Sequence, residues 1–178
     1  MVNLVKEPRA LLNDEDALYM KEALEEAKKA YQLGEIPIGA VLVYEGQIIA
    51  RAHNLRETNY DALAHAEILV IQEANRLLKR WRLTGATLYV TIEPCSMCSG
   101  AIINSRISRV VYGSADYKGG GVESLFNILS HPGLNHEPEV RAGVLQEECA
   151  QLMKDFFKMR RKTRRSTQEA EGSALEMR

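Results

Sequence analysis

Four residues in two short segments of this 178-residue chain carry side chains that could hold a metal ion and move a proton. His65 and Glu67 lie two positions apart, and Cys95 and Cys98 begin thirty positions after the histidine. A structural zinc site is closed by four protein ligands, whereas a catalytic site has three and leaves the fourth position to water. The histidine and the two cysteines therefore predict one catalytic zinc ion (Zn2+) per subunit, and Glu67 is available to take a proton from that water.

Each of these residues has another interpretation when it is considered alone. A single histidine is more often a satisfied core or surface residue, and a Cys-x-x-Cys pair could be half of a structural zinc knuckle. The remaining candidates for a fourth ligand belong to no paired motif; they are His53, His131, His136 and Cys149. With Glu67 added to the three ligands, the pattern favours catalytic zinc, and Cys149 is interpreted as a buried thiol.

Hydrophobic periodicity and turn residues indicate the elements that must position this motif. A first helix is predicted from a cap at Asn13 or Asp14 to Gly34, and strands at 38–44 and 47–53 follow, joined by the hairpin signal Glu45-Gly46. The later helices are predicted at 64–80, from Cys95 to Asn104, at 123–129 (a short one) and at 147–161. The later strands are predicted at 86–92, 109–114 and 140–144, with a loop at 119–121 and a turn at 131–133.

Both metal-binding segments fall where a helix begins. The unpaired N–H groups and the dipole of a helix N-terminus favour negative charge, so they promote the thiolate form of a cysteine. Residues three apart also share one face of a helix, so Cys95 and Cys98 can reach the same ion.

Strands that alternate with helices predict an α/β fold, specifically a three-layer α/β/α sandwich on a mixed, five-stranded sheet. No internal repeat or long linker divides the chain, so we expect a single domain at residues 1–165. Residues 166–178 are polar and are predicted to form a disordered tail.

Composition argues against a membrane protein and leaves nucleic acid open as a partner. Hydrophobic residues make up 46% of the chain, and no apolar run approaches the length that a bilayer requires. The segment from Met1 to Asp16 has no signal-peptide core, so we expect a cytoplasmic protein with reduced cysteines. The net charge is −1, but seven basic residues and one acid lie between positions 154 and 165. This basic stripe indicates either phosphate binding or a solvated helix end.

At His65-Ala66-Glu67 and Pro94-Cys95-Ser96-Met97-Cys98 the chain resembles the cytidine/deoxycytidylate deaminase superfamily. The resemblance implies a cytidine deaminase-like fold, with His65, Cys95 and Cys98 as zinc ligands. It also implies hydrolysis, in which zinc-bound hydroxide attacks the amine-bearing ring carbon, Glu67 shuttles protons and ammonia leaves.

The similarity is greater to one branch, the bacterial tRNA-specific adenosine deaminases, which convert a wobble adenosine to inosine. It covers roughly residues 14–162 and runs through Asn54 and the segments 34–41, 64–67, 86–95, 104–107 and 155–161. The branch implies a tRNA anticodon stem-loop as partner, a homodimer, and substrate contacts by Asn54, Asp116, Phe156, Phe157 and Arg160. An extruded base needs an aromatic pocket, an amide and basic groups, and residues of these types can supply them. At least one of the two phenylalanines is nevertheless expected to pack in the core.

Two alternative functions remain open. A deaminase of a free base or nucleoside, of the guanine or cytidine type, would share the zinc motif but has no need of the basic stripe. A non-catalytic, zinc-stabilised RNA-binding module would have no need of Glu67.

The loop after Lys118 departs from the family pattern in the run Gly119–Glu123, which lies near the RNA path that the resemblance implies.

Overall fold

The computed structural model describes residues 15–176, and the predicted cap at Asn13 or Asp14 lies outside them. The first helix, α1, is Glu15–Gln32. Strands β1 (Gly39–Tyr44) and β2 (Gln47–His53) pair antiparallel as the predicted hairpin. Both turn residues have positive φ, 50° at Glu45 and 75° at Gly46, as a two-residue hairpin of the favoured hand requires.

The chain then alternates between helices and strands on its way to the C-terminus. One short helix, α2 (Arg56–Asn59), is a single turn that the sequence pattern does not predict. The other elements are α3 (Ala66–Leu78), β3 (Thr87–Ile92), α4 (Ser96–Asn104), β4 (Arg109–Ser114), β5 (Glu139–Arg141) and α5 (Gln146–Glu176).

The five strands form one mixed sheet in the order β2-β1-β3-β4-β5. Strand β1 is antiparallel to both of its neighbours, whereas β3, β4 and β5 run parallel. Helices α3 and α4 pack on one face, and helices α1 and α5 pack on the other. This three-layer α/β/α arrangement confirms the predicted fold class.

Alternate residues of each central strand face opposite helix layers, so both faces of the sheet are buried. In β3, Leu88 and Val90 belong to the core against α3 and α4, whereas Tyr89 belongs to the core against α1 and α5. This double burial explains why the central strands read as nearly continuous apolar runs. Because β3 and β4 are parallel, their carboxyl ends lie at the same edge of the sheet, next to the N-termini of α3 and α4.

A buried ion network ties α1 to three strands. Asp16, 6% exposed, accepts hydrogen bonds from the Tyr89 hydroxyl at 2.8 Å and from both terminal nitrogens of Arg109 at 2.7 and 2.8 Å. Arg141 also donates to Asp16, and Arg109 donates to Glu139 at 2.8 Å. The two arginines and the tyrosine hold the pKa of Asp16 well below its ordinary value of 3.8 despite its burial. One carboxylate thus joins the helix layer to β3, β4 and β5.

The short helix predicted at 123–129 is wrong, since the segment forms turns and irregular structure. Its amphipathic spacing resembles a helix, but the backbone N–H groups of Val122, Glu123 and Ser124 donate to the side chain of Glu93 instead. The N–H groups that follow do not form an i to i−4 ladder, because Leu125 and Phe126 donate to the carbonyl oxygen of Gly120 and Ile128 donates to that of Gly121.

The last two elements differ from their predicted bounds. The fifth strand ends at Arg141, three residues before its predicted end, because the chain turns at Gly143 (φ 82°). Helix α5 continues to Glu176, beyond its predicted end at Arg161. Within the described part of the chain, none of the helices combines the length and the apolar character that a membrane span requires.

Candidate active site

The four residues of the motif meet where two helices begin. His65 is the residue just before α3, and Cys95 is the residue just before α4, both with extended backbone. Cys98 lies one turn into α4, on the side of the helix that faces His65. Strand β3 leads directly into α4 through Glu93 and Pro94, so the sheet edge fixes the cysteine segment.

The three predicted metal ligands lie at the separations that a tetrahedral zinc site requires. Nδ1 of His65 is 3.7 Å from Sγ of Cys95 and 3.6 Å from Sγ of Cys98, and the three ligand atoms lie within 4.8 Å of one another. Zinc bonds of about 2.3 Å to sulfur and about 2.05 Å to nitrogen, at tetrahedral angles, place nitrogen and sulfur about 3.6 Å apart. Among the described residues, this is the one cluster of histidine, cysteine or acidic side chains with that geometry.

Cys95 is the more acidic of the two thiols. Its hydrogen bond with Cys98, followed by that with His65, lowers the pKa of Cys95 to about 4, although partial burial opposes the shift. The position before a helix adds to the same effect. Thiolate is the form that binds a metal ion, so the donor set fits zinc chemically as well as geometrically.

Glu67 is buried beside these ligands with one oxygen unsatisfied. It is 3% exposed, and its Oε2 is one of three buried side-chain oxygens without a hydrogen-bond partner in the described structure. Burial raises the pKa of this carboxyl group to about 7. A buried acid that exchanges protons near neutral pH and lines an open pocket suits proton transfer.

The pocket that contains the motif has a volume of about 890 Å³ and opens to solvent. His65, Glu67 and Cys95 line it together with residues from the ends of β3 and β4. Its lining also includes four cationic side chains and two partly exposed aromatic rings: Arg56, Lys118, Lys154, Arg161, Tyr117 and Phe157. We call the four cations the basic rim.

The substrate residues that the resemblance implied separate into two groups. Asp116 and Phe157 line the pocket, and Phe157 is 42% exposed. Phe156 is 1% exposed and packs edge-on against Phe157 and Tyr31, which agrees with the expectation that one of the pair is core. Arg160 lies outside the pocket lining, with its guanidinium 5.8 Å from the Phe156 ring centre and 3.3 Å from the carbonyl oxygen of Gly34.

Asn54 is also buried and lies outside the pocket lining. Its Nδ2 donates to Oε2 of Glu35 at 3.0 Å, and the other carboxylate oxygen of Glu35 accepts from the backbone N–H of Thr58 at 2.7 Å. Glu35 is 1% exposed, so this pair fixes the amide of Asn54 and the short helix α2 together.

Glu93 organises the pocket wall, although it belongs to neither of the two segments predicted to bind the metal ion. Its carboxylate accepts from the backbone N–H groups of Asp116, Val122, Glu123 and Ser124 at 2.8 to 3.1 Å and from the Ser124 hydroxyl group. These hydrogen bonds lower the pKa of Glu93 even though burial opposes the shift. The available signal was a carboxylate directly after a buried strand, at the sheet edge where loops converge on a site.

Close contacts with the Glu93 carboxylate and with the start of α4 explain why glycines occupy the loop that departs from the family pattern. A Cβ on Gly120 would lie 2.4 Å from Oε2 of Glu93, and one on Gly121 would lie 2.8 Å from the backbone of Cys95 and Ser96. Gly121 also donates its N–H to the carbonyl oxygen of Pro94 at 2.7 Å. The run at 119–121 is therefore the segment that presses against the cysteine turn.

Replacing Gly120 by alanine is expected to displace the loop and to lower the free energy of unfolding by about 1–3 kcal/mol, the usual cost of overpacking. Chemical denaturation followed by circular dichroism measures this effect. The control is Gly100→Ala in α4, where a Cβ meets nothing within 4 Å and where alanine favours helix. Equal stabilities of the two variants would contradict the packing that we describe around Glu93.

Comparisons with known proteins agree with this geometry. The sequence model of the MafB19-like deaminase family matches residues 13–161. The tRNA-specific adenosine deaminase of Bacillus subtilis (strain 168) is 57% identical over 152 residues, which are 85% of this chain and 94% of the relative. A chain solved in a study of A-to-I editing by tRNA:A34 deaminases at the wobble position has a TM-score of 0.74 and 47% identity, and the match covers 76% of this chain and 98% of that one.

A guanine deaminase from Nitrosomonas europaea also has this fold, with a TM-score of 0.69 over 85% of this chain and 87% of that one. Its identity is only 24%, so that likeness concerns the fold alone. The matches to the Bacillus subtilis relative and to the family model both cover most of this chain. The chain also has the His/Cys/Cys cluster. The chain belongs to the family of tRNA-specific adenosine deaminases.

Proposed function

We propose that this protein is a zinc-dependent hydrolase that converts the wobble adenosine of a tRNA anticodon to inosine. The reaction consumes one water molecule and releases one ammonia molecule. The observation that carries the chemistry is the buried, unsatisfied carboxyl oxygen of Glu67 beside three side chains at zinc-ligand spacing. The name of the Bacillus subtilis relative supports the substrate.

His65, Cys95 and Cys98 are the residues that would hold the zinc ion. Three protein ligands leave one position open, and a zinc ion bound there would polarise water and lower its pKa toward neutrality. The two cysteines come from one helix turn, and the histidine comes from a neighbouring helix start. The ion would therefore join α3 to α4 at the edge of the sheet.

Glu67 performs the proton transfers. Its free Oε2 accepts a proton from the attacking water and passes it to the ring nitrogen. It then accepts the proton of the hydroxyl group added to the ring carbon and passes it to the departing amine. Burial raises the pKa of this group above the ordinary value of a glutamate, so it holds a proton more readily than an exposed carboxyl group does. Burial keeps bulk water away from this exchange.

The basic rim and the exposed aromatic rings support a polynucleotide substrate over a free base. A free base carries no phosphate, whereas four cations around one opening can neutralise several phosphates. Tyr117 and Phe157, 81% and 42% exposed, offer flat surfaces on which unpaired bases can stack. We assign Asp116 and Phe157 to direct substrate contact.

The remaining residues implied by the family act beside the pocket in this proposal. Asn54, held by Glu35, meets the edge or the ribose of the nucleoside. Phe156 supports the ring of Phe157 from beneath, and Arg160 meets RNA phosphate near the α5 surface. The substrate is a cytoplasmic RNA, and we expect the protein to act on the anticodon stem-loop in the cytoplasm as a homodimer.

A substrate panel tests the proposed function. The zinc-loaded protein is incubated separately with bacterial tRNA, with free adenosine, with cytidine and with guanine, and inosine and ammonia are measured. We expect turnover of adenosine in tRNA alone. Turnover of only the free compounds would replace this proposal with a nucleoside or base deaminase, and zinc and RNA binding without turnover would indicate a non-catalytic module.

Removing two rim cations is expected to weaken tRNA binding without loss of zinc. Lys154→Ala combined with Arg161→Ala should reduce the slope of log K against log salt by about 1.4 to 1.8, because two phosphate contacts are lost. Filter binding at several salt concentrations measures the slope. The control, Lys21→Ala with Lys28→Ala on α1, removes equal charge from outside the pocket lining and should leave the slope unchanged.

A further inference from the structure

A second group of cationic and aromatic side chains lies at the opposite end of the molecule from the pocket. It begins in the last turn of α3 and ends before β3, whereas His65 directly precedes the first residue of α3. We call it the Trp81 patch, and its exposed members are Arg76, Lys79, Arg80, Trp81 and Arg82. Trp81 is 55% exposed, although a large aromatic side chain is usually buried over most of its surface.

Two of the arginines are held against aromatic rings. The guanidinium of Arg82 lies 4.2 Å from the ring centre of Trp81, and that of Arg80 lies 4.8 Å from the ring centre of Tyr44. A guanidinium that is already stacked loses less conformational freedom when it binds a ligand. The patch therefore presents oriented cations next to an exposed ring.

The charge of the patch is largely uncompensated. Arg76 pairs with Glu73 at 2.5 Å. Among the described residues, Lys79, Arg80 and Arg82 form no ion pair, and the segment from 76 to 82 contains no acid. Three like charges around an exposed tryptophan favour a polyanionic ligand with flat, stackable groups.

These features fit RNA better than they fit a second copy of this chain. A dimer that used the patch would bring identical cations together across its symmetry axis, and charged residues are depleted from the cores of such interfaces. RNA supplies phosphates for the cations and bases for the tryptophan. We propose that the Trp81 patch is a second RNA-binding surface, which contacts a segment of the substrate tRNA other than the nucleotide in the pocket.

The length of α3 requires the two contacts to be separate. Its thirteen residues span about 20 Å, so a nucleotide in the pocket cannot reach Trp81. The inference rests on the proposed function, because it takes the tRNA that reacts in the pocket as the ligand of the patch. A second contact of this kind adds affinity for whole tRNA and leaves the chemistry in the pocket unchanged.

Trp81 is the only tryptophan in the chain, so its fluorescence reports on the patch directly. Titration of the zinc-loaded protein with unmodified tRNA should quench this fluorescence at low salt, since a stacked base contacts the indole ring. The quenching should weaken as salt rises, because the neighbouring cations bind phosphate. A short anticodon stem-loop, which can fill the pocket without reaching the patch, should quench much less.

Two variants test the contribution to affinity. Trp81→Ala should weaken tRNA binding about fivefold or more, and Trp81→Phe should recover most of that loss because it keeps a stacking ring. Arg80→Ala with Arg82→Ala should reduce the salt slope by about 1.4 to 1.8. Lys21→Ala with Lys28→Ala removes the same charge elsewhere and serves as the control. The rate of deamination of the stem-loop should not change in any of them.

The outcomes separate this inference from the proposed function. Deamination of tRNA by the wild-type protein, with no quenching and unchanged affinity in the patch variants, would overturn the inference alone. Fluorescence that changes with protein concentration, together with a smaller assembly for Trp81→Ala, would overturn it in favour of an interface between copies of the chain. Absence of tRNA deamination by the wild-type protein would reject the proposed function through a separate assay.

Discussion

Glu67→Gln is expected to lower the turnover number for tRNA deamination by about three orders of magnitude while zinc content stays at one ion per chain. The amide keeps the size of the side chain but cannot accept the proton that the attacking water loses, nor return it to the departing amine. Losing a positioned acid and base costs about 10²- to 10⁴-fold, and the upper half of that range is expected because one group serves both transfers. Single-turnover assays with tRNA give the rate.

The control separates proton transfer from metal binding. Cys98→Ala removes one of the three proposed ligands, so it should lose zinc as well as activity, whereas Glu67→Gln should lose activity alone. Metal analysis of both purified variants distinguishes them, and tRNA affinity should be preserved in Glu67→Gln. Full activity of Glu67→Gln would refute the proton-transfer role that its unsatisfied Oε2 supports.

Asp16→Asn is expected to lower the free energy of unfolding at neutral pH by about 2–4 kcal/mol. Removing one partner of a buried ion pair costs about 3–5 kcal/mol. We expect a smaller cost here because Arg141 is 42% exposed, so water can hydrate it when the carboxylate of Asp16 is removed. Denaturation in urea, followed by circular dichroism, measures the difference between the variant and the wild type.

The same variant should change the pH dependence of stability in a defined direction. The folded pKa of Asp16 lies below its ordinary value of 3.8, so its stabilising effect is complete above about pH 4 to 5 and is lost as pH falls through the folded pKa. The stability difference between wild type and Asp16→Asn should therefore be largest at neutral pH and should narrow below about pH 4. Zinc release at acid pH affects both proteins, so it largely cancels in the difference.

Glu25→Gln supplies the matched control for this series. Glu25 pairs with Lys28 on the same helix, but both side chains are more than half exposed. Its loss should cost no more than about 0.5 kcal/mol at neutral pH. An Asp16→Asn effect of similar size would show that the network contributes no more than a surface pair.

Local periodicity was sufficient to predict most of the fold. The residues of β1 and β3 read as apolar runs because both faces of the sheet are covered, and the start of α4 was marked by the cysteine pair itself. Such signals are carried by neighbouring residues in the chain. The side chains of His65, Cys95 and Cys98 lie beside one another, because two helix starts at one sheet edge bring His65 and Cys95 together.

Features that depend on distant residues were not predictable in the same way. The segment at 123–129 has helical spacing, but its N–H groups at Leu125, Phe126 and Ile128 donate to the carbonyl oxygens of Gly120 and Gly121. The loop that holds these glycines is fixed by the carboxylate of Glu93, about thirty residues away in sequence. Likewise, the basic stripe on α5 could not show which of its residues face the pocket. Lys154 and Arg161 line it whereas Arg160 does not, because Phe156 is buried against Tyr31 of α1 and Phe157 faces the pocket, which fixes the rotation of α5.

Glu93, whose carboxylate holds the loop around Asp116 in place, affects the free-energy cost of binding substrate. Four backbone N–H groups of that loop are satisfied by Glu93 without any contribution from a ligand. A pocket wall that is ordered in advance has already lost its conformational entropy during folding, so substrate affinity is not reduced by the cost of ordering it. Selectivity at this wall then follows from a fixed shape, and a substrate that does not match that shape cannot be accommodated by rearranging the loop around it.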